Sequence, residues 1–257
     1  MPANLIACRP GSYGKYSAEA FMHLPKIGIK HVEIDVPPED QWAKRQAELK
    51  KHKLKVSSVA GGVNLSKPDE VAAFSRLARA AKASGAKVIF LSVQTGGVPV
   101  EQCYRTLREL GDTARAYGAT IGMETHPDMV TNGDVAAATM KGVNHPNVKL
   151  NYDSANIYYY NQGTCGVTEF KKFLPWLISV HLKETNGKPK TWYFPGLHEG
   201  EGIVNFPEIF RLCKEAKFYG PFTLEIEGCE GENLSQEQAC ARVANSVAYL
   251  KSIKAMA

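Results

Sequence analysis

Four short stretches from residue 120 onward in this 257-residue chain end in polar side chains two positions apart: Glu124 and His126, Asn151 and Asp153, His181 and Lys183, Glu225 and Glu227. Alternate side chains of an extended strand share a face, so the members of each pair point the same way. If the four stretches are neighbouring strands, three carboxylates and an imidazole converge on one point. Bare, such a group is costly, because like-charged carboxylates in a poorly solvated mouth repel and take up protons. A divalent cation removes the conflict. An oxygen-rich shell with one nitrogen suits Mn²⁺, Mg²⁺ or Co²⁺ better than a structural Zn²⁺, which recruits thiolates and closes at four protein ligands. Taken singly, Glu124 or Asp153 reads equally well as a salt-bridged strand end, and His181 as a hydrogen-bonded core histidine. Recurrence at the same place on four successive strands is what favours the metal, since packing has no reason to repeat there.

The elements that must position these groups alternate along the whole chain. Short apolar or β-branched runs at residues 5–8, 31–36, 55–60, 88–93, 120–125, 148–153, 178–183 and 222–227 read as strands. Amphipathic segments starting near Ala18, Glu39, Asp69, Val100, Asp134, Thr168, Pro207 and Gln236 read as the helices between them. Ser66 with Asp69 and Ser235 with Gln238 have capping-box spacing, Pro207 suits a first helical turn, and Gly28, Gly85, Gly118 and Gly220 sit just past helix ends. Eight units in 257 residues leave about 32 residues each, the size of a minimal βα repeat. The expected fold is therefore α/β, a single (β/α)8 barrel over residues 1–257, with no linker to mark a second domain. An open doubly wound sheet would announce a glycine-rich phosphate loop after its first strand. Arg9-Pro10-Gly11-Ser12-Tyr13-Gly14 fits neither such pattern. The longest connection, residues 185–205, carries Trp192, Tyr193 and Phe194 and is expected to form a lid or wall at the mouth of the barrel.

Composition narrows the partners. With 44% hydrophobic and 22% charged residues the chain reads as a well-packed soluble protein, neither disordered nor fibrous. The net charge of +5 is concentrated around Lys50, Lys51, His52 and Lys53, where cations offset the dipole at a helix end. Basic residues are not interleaved with aromatics, so nucleic acid is not an expected partner. The six cysteines form no CxxC pair, and most lie in apolar segments, which suggests reduced core thiols. No signal-peptide layout opens the chain and the apolar run at 88–91 is far too short to span a bilayer, so the expected location is the cytoplasm, with no membrane partner. A homo-oligomer is compatible with the sequence.

The motifs Met123-Glu124-Thr125-His126, Asp153-Ser154-Ala155-Asn156, Val180-His181-Leu182-Lys183-Glu184, Gly200-Glu201-Gly202-Ile203-Val204-Asn205-Phe206 and Gly220-Pro221-Phe222-Thr223-Leu224-Glu225 resemble those of the xylose isomerase-like TIM barrels. This sugar phosphate isomerase/epimerase group is related to ketose 3-epimerases, hydroxypyruvate isomerase, inosose dehydratase and endonuclease IV. The resemblance implies one divalent metal held by Glu124, Asp153, His181 and Glu225, with Mn²⁺ the foremost choice. Glu227 shares the facing of Glu225, but the spacing from Gly220 favours Glu225. His126, Asn156 and Lys183 fall at positions that resemble substrate contacts. Asn156 stands where ketose 3-epimerases tend to carry a histidine, and the arginine that follows their seventh-strand histidine is missing. No histidine occurs at the third and fourth strand ends, which leaves the trinuclear site of endonuclease IV unsupported.

The expected activity is metal-dependent sugar isomerisation or epimerisation. A proton next to a carbonyl of a ketose, inosose or keto-glycoside is abstracted to give an enediolate, with Glu124 and Glu225 taking and returning protons. Alternatives are a dehydratase or lyase on the same fold, or a non-catalytic sugar-binding barrel. Glu33 and Asp35 share a face of the second strand and are set aside, a surface ion pair explaining them equally well. Backbone N–H groups near Gly228, Gly231 and Ser235 would suit a phosphate, but Glu230 and Glu232 beside them favour an unphosphorylated sugar.

Overall fold

The structure, a computed structural model, describes residues 2–256. Eight parallel strands close into a barrel: β1 (Ile6–Cys8), β2 (His31–Asp35), β3 (Lys55–Asn64), β4 (Val88–Gln94), β5 (Thr120–Glu124), β6 (Val148–Asp153), β7 (Leu177–Leu182) and, after the short β8 (Tyr193–Phe194), β9 (Phe222–Leu224). Pairing of Ile6 with Phe222 and Cys8 with Leu224 shuts the ring. A second ribbon is antiparallel: β8 pairs with β10 (Gly228–Cys229).

Alternation divides each strand between two environments. Val32, Ile34, Ile89, Leu91, Ile121, Met123, Leu150, Tyr152, Val180 and Leu182 belong to the hydrophobic core. The intervening positions include Glu33, Ser58, Asn151, Ser179, His181 and Thr223, buried and polar. Polar groups so placed need partners, and several find them: the Asn151 amide donates to Ser179 at 2.8 Å and the Ser58 hydroxyl to Glu33 at 2.6 Å. Gly122 makes room here, since a Cβ would approach Ile178 and Ser179 to 3.0 and 3.1 Å.

Helices α2 (Glu39–Lys51), α3 (Pro68–Ser84), α4 (Val100–Ala116), α5 (Gly133–Val143), α7 (Gly166–Phe173), α8 (Phe206–Glu215) and α9 (Gln236–Ser252) lie between or after the strands, as the amphipathic segments predict. The first unit departs from that expectation. Its α-helical part, α1 (Ala20–His23), is a single turn between 3-10 stretches at Pro10–Glu19 and Leu24–Ile27, because Gly14 takes a left-handed φ of 57° and prolines open both flanking stretches. A further single turn, α6 (Asn156–Tyr159), follows β6 directly.

The Ser235–Gln238 capping box forms as predicted. The Ser66–Asp69 box does not: the Ser66 hydroxyl is taken by Asn64 Oδ1 at 2.7 Å, and Lys67 occupies the N-cap of α3 without a side-chain bond. Strand β3 outruns its expected end at residue 60, pairing through Gly61 and Gly62 to match Asn64 with Gln94. Strand β9 stops at Leu224, short of residue 227, because the chain turns there towards β10. All six cysteines are free, but only Cys8, Cys103 and Cys213 are buried; Cys165 is exposed, which corrects the expectation that most are core thiols. Among the described residues no helix is long and apolar enough to cross a membrane.

Candidate metal centre and active site

Glu124, Asp153, His181 and Glu225 each offer one ligand atom such that all four atoms lie within 4.8 Å of one another. Three of these residues sit at or near the C-terminal ends of β5, β6 and β7, and Asp153 is matched directly with His181 in the register. Glu225 lies one residue past β9, yet its N–H still donates to Leu182 O at 3.1 Å, so the sheet fixes it too.

Asp153 Oδ1 accepts the backbone N–H groups of Ala155 and Asn156, both at 2.8 Å, at the opening of α6. Its Oδ2 is buried and has no hydrogen-bond partner. The neighbouring cationic nitrogens, Lys183 Nζ at 3.8 Å and His181 Nδ1 at 3.9 Å, stand beyond hydrogen-bond range. Burial pushes the Asp153 carboxyl up to about 7, against the pull of Lys183. Burial and then the charge of Glu225 also raise Glu124, whose Oε1 accepts from the Asn156 amide at 3.1 Å.

His181 donates from Nδ1 to Glu225 Oε2 at 2.9 Å and from Nε2 to Glu33 Oε1 at 3.0 Å. Burial opposes its protonation, but these two carboxylates outweigh burial and hold the imidazole well above its ordinary pKa. Glu225 is the opposite case. Burial alone would raise it, whereas Lys183, His181 and Arg9 together hold it well below the ordinary carboxylate range. A buried acceptor without a donor, beside two further carboxylates and one imidazole, is the donor set of a hard divalent cation.

His126, Asn156 and Lys183 all line the cavity over this cluster, a space of about 480 Å³. His126 Nδ1 bonds Pro127 O at 2.8 Å and its ring meets Tyr160 edge-on. The Lys183 ammonium is buried over the face of Phe194, pairs with Glu227, and lies 3.4 Å from Asn156 Oδ1. Glu227 therefore serves Lys183, and of the two glutamates it is Glu225 that joins the cluster.

Residues 185–205 form a pinned wall. Glu184, buried at their root, accepts N–H groups from Thr185, His198 and Val204 at 3.1, 2.9 and 3.0 Å. The β8–β10 ribbon holds Phe194 beside Trp192, 5.1 Å between ring centroids, and both rings face the cavity. The Cys229 N–H near the proposed phosphate position is taken by Glu232, itself paired with Arg242.

Two groups escaped the sequence reading. Glu33, set aside as half of a surface pair, is buried and bonded to His181 and Ser58. Arg9 bonds Glu225, reaches Asp35 Oδ1 at 3.2 Å and lies 3.7 Å from Glu33. The available signal was an acid between Val32 and Ile34 in an otherwise apolar run, one strand away from an arginine at the end of β1.

A closed parallel α/β barrel with a carboxylate-imidazole cluster at its C-terminal mouth defines the class. The chain belongs to the family described as xylose isomerase-like TIM barrel, whose pattern matches residues 22–252. The L-ribulose-5-phosphate 3-epimerase UlaE of Salmonella typhi is 27% identical over 137 residues, 53% of this chain and 46% of that protein. That match spans about half the length of the curated relative. Among solved structures, a xylose isomerase domain protein from Planctomyces limnophilus superposes with a TM-score of 0.78 at 18% identity, covering 98% of each chain. D-psicose 3-epimerase from Clostridium cellulolyticum H10 gives 0.77 at 14% identity, covering 96% of this chain and 98% of that one.

Proposed function

We propose that this chain is a Mn²⁺-dependent sugar isomerase or epimerase that moves a proton on a carbon next to a carbonyl. The observation that carries the reading is the orphaned Asp153 Oδ2, buried among Glu124, His181 and Glu225. Those four residues would hold the ion. When bound, the metal supplies a Lewis acid that draws charge from vicinal substrate oxygens.

The chain's own residues do the rest. Glu124 and Glu225 both open onto the cavity and are the pair that takes and returns the proton, a contribution of about 10² to 10⁴ in rate. Asn156 orients Glu124 through its amide. Lys183, buried and held by Glu227, donates to a substrate oxygen, and His126 holds a hydroxyl at the rim. The aromatic wall of Tyr159, Tyr160, Trp192 and Phe194 presents apolar faces to a ring or chain of the sugar and excludes water. The similarity to an L-ribulose-5-phosphate 3-epimerase and a D-psicose 3-epimerase supports a ketose as substrate.

The test is incubation of Mn²⁺-loaded protein with ketoses, inososes and 3-keto-glycosides in D₂O, followed by NMR. Deuterium entering one carbon, lost by orders of magnitude in Glu124→Gln and Glu225→Gln, is the expected result. Uniformly unchanged spectra overturn the assignment. Asn156, at a position where ketose 3-epimerases tend to have histidine, favours a dehydratase as the second reading, and a product lighter by one water identifies it.

A further inference from the structure

His181 meets the candidate metal centre with Nδ1, and the geometry on its far side is as specific. Its Nε2 lies 3.0 Å from Glu33 Oε1, and the other oxygen of that carboxylate receives the Ser58 hydroxyl at 2.6 Å. Ser58 stands opposite Glu33 in the β2–β3 register, and both side chains are buried. The Phe90 ring stacks on the imidazole at 4.5 Å and 22°, which restricts its rotation. A carboxylate only accepts, so the nitrogen facing Glu33 must carry a hydrogen. The nitrogen facing the cluster, which meets Glu225 at 2.9 Å, is then the one that can give up its hydrogen and offer a lone pair to a cation.

We infer that Glu33, braced by Ser58, is a positioning residue that fixes the tautomer and orientation of His181 and thereby the affinity of the site for its metal. The inference rests on the metal reading proposed above and assigns Glu33 no contact with substrate. A carboxylate behind a ligating histidine commonly contributes 10- to 100-fold in metal affinity. Because Glu33 enters from β2, three strands round the ring from β7, it links His181 to a strand that contributes none of the four ligand atoms.

Titration calorimetry with Mn²⁺ alone on the full chain is the first test. Glu33→Gln is expected to raise the Kd about 10- to 100-fold while its unfolding midpoint confirms a folded protein, because the amide is neutral and holds the ring more weakly. Ser58→Ala, which removes only the brace, is expected to raise the Kd by a smaller factor. ¹⁵N NMR of the wild-type chain loaded with diamagnetic Mg²⁺ is independent of any variant and should show His181 with its hydrogen on Nε2. A folded Glu33→Gln protein whose Mn²⁺ Kd stays within twofold of wild type overturns the inference, as does a hydrogen on Nδ1 in the loaded wild type. If the wild-type chain itself takes up no Mn²⁺, the metal reading fails and this inference with it, an outcome distinct from equal binding by both proteins.

Discussion

Glu184→Gln isolates what holds the cavity wall in place. The wild-type carboxylate is buried and accepts three backbone N–H groups, Thr185 and Val204 at Oε1 and His198 at Oε2. Glutamine keeps one oxygen and turns the other into a donor. In its better orientation the amide oxygen keeps Thr185 and Val204, and the NH₂ faces the His198 N–H, donor against donor. One charge-assisted bond is lost and one buried donor left unpaired, a cost of about 1.5 to 3 kcal/mol. Opposing this, burial holds the Glu184 carboxyl above its ordinary range, so removing the charge recovers part of a desolvation cost. The net expectation is a loss of about 1 to 2 kcal/mol, with the larger effect local. Urea unfolding at neutral pH measures the first quantity, and amide hydrogen exchange at Val204 and His198 the second. A variant that unfolds within about 0.5 kcal/mol of wild type and keeps both amides protected would show that the wall does not depend on this carboxylate.

Other perturbations have equally definite outcomes. Mn²⁺ at about 100 times its Kd should stabilise the protein by about 2.7 kcal/mol, roughly 5–10 °C in thermal midpoint, with EDTA reversing the shift and Asp153→Asn abolishing it. His23 and His31 are lowered below their ordinary pKa, chiefly by burial, and Lys26 acts on the first as Lys55 and Lys30 act on the second. A lowered histidine contributes stability that is complete above the unfolded value and lost as pH falls through the folded one. Their protonation favours the unfolded chain below about pH 6.5, against the opposing proton uptake of buried Asp153, so a His23→Gln, His31→Gln protein should gain stability, read as unfolding midpoint, relative to wild type as pH falls through that window. Gly111→Ala would drive a Cβ to 2.4 Å from the His145 ring and 2.8 Å from Val148, so a loss of about 1 to 3 kcal/mol in chemical denaturation is expected.

The barrel was legible because strands buried on both faces read as short apolar or β-branched runs, while each helix carries a wider apolar stripe. All eight barrel strands fall on the apolar runs that predicted them, with β3 longer and β9 shorter than expected. What failed has local causes. Pro10, Gly14 and Pro25 kept the first connection from becoming one regular helix, and Gly61 and Gly62 disguised the far half of β3, since glycines weaken a strand pattern. The four clustered residues were legible as members of polar pairs repeated at successive strand ends, while the choice of Glu225 over Glu227, which share a facing, came from the family resemblance. Glu33 was not, because its meaning depends on a contact with His181 across 148 positions of sequence. Arg9 is the same case, its partner Glu225 lying at the other end of the chain.

The little ribbon of β8 and β10 makes one mechanical unit of two loops that leave different strands. Phe194 is clamped opposite Gly228, and that segment continues from Glu225 and Glu227 with only Ile226 between them. Widening the doorway beside Trp192 must therefore drag on the stretch that carries both acids. If Glu225 moves a proton as proposed, guest size and proton handling are geared together, and redesigning the entrance for a bulkier molecule will detune that step unless the ribbon is kept.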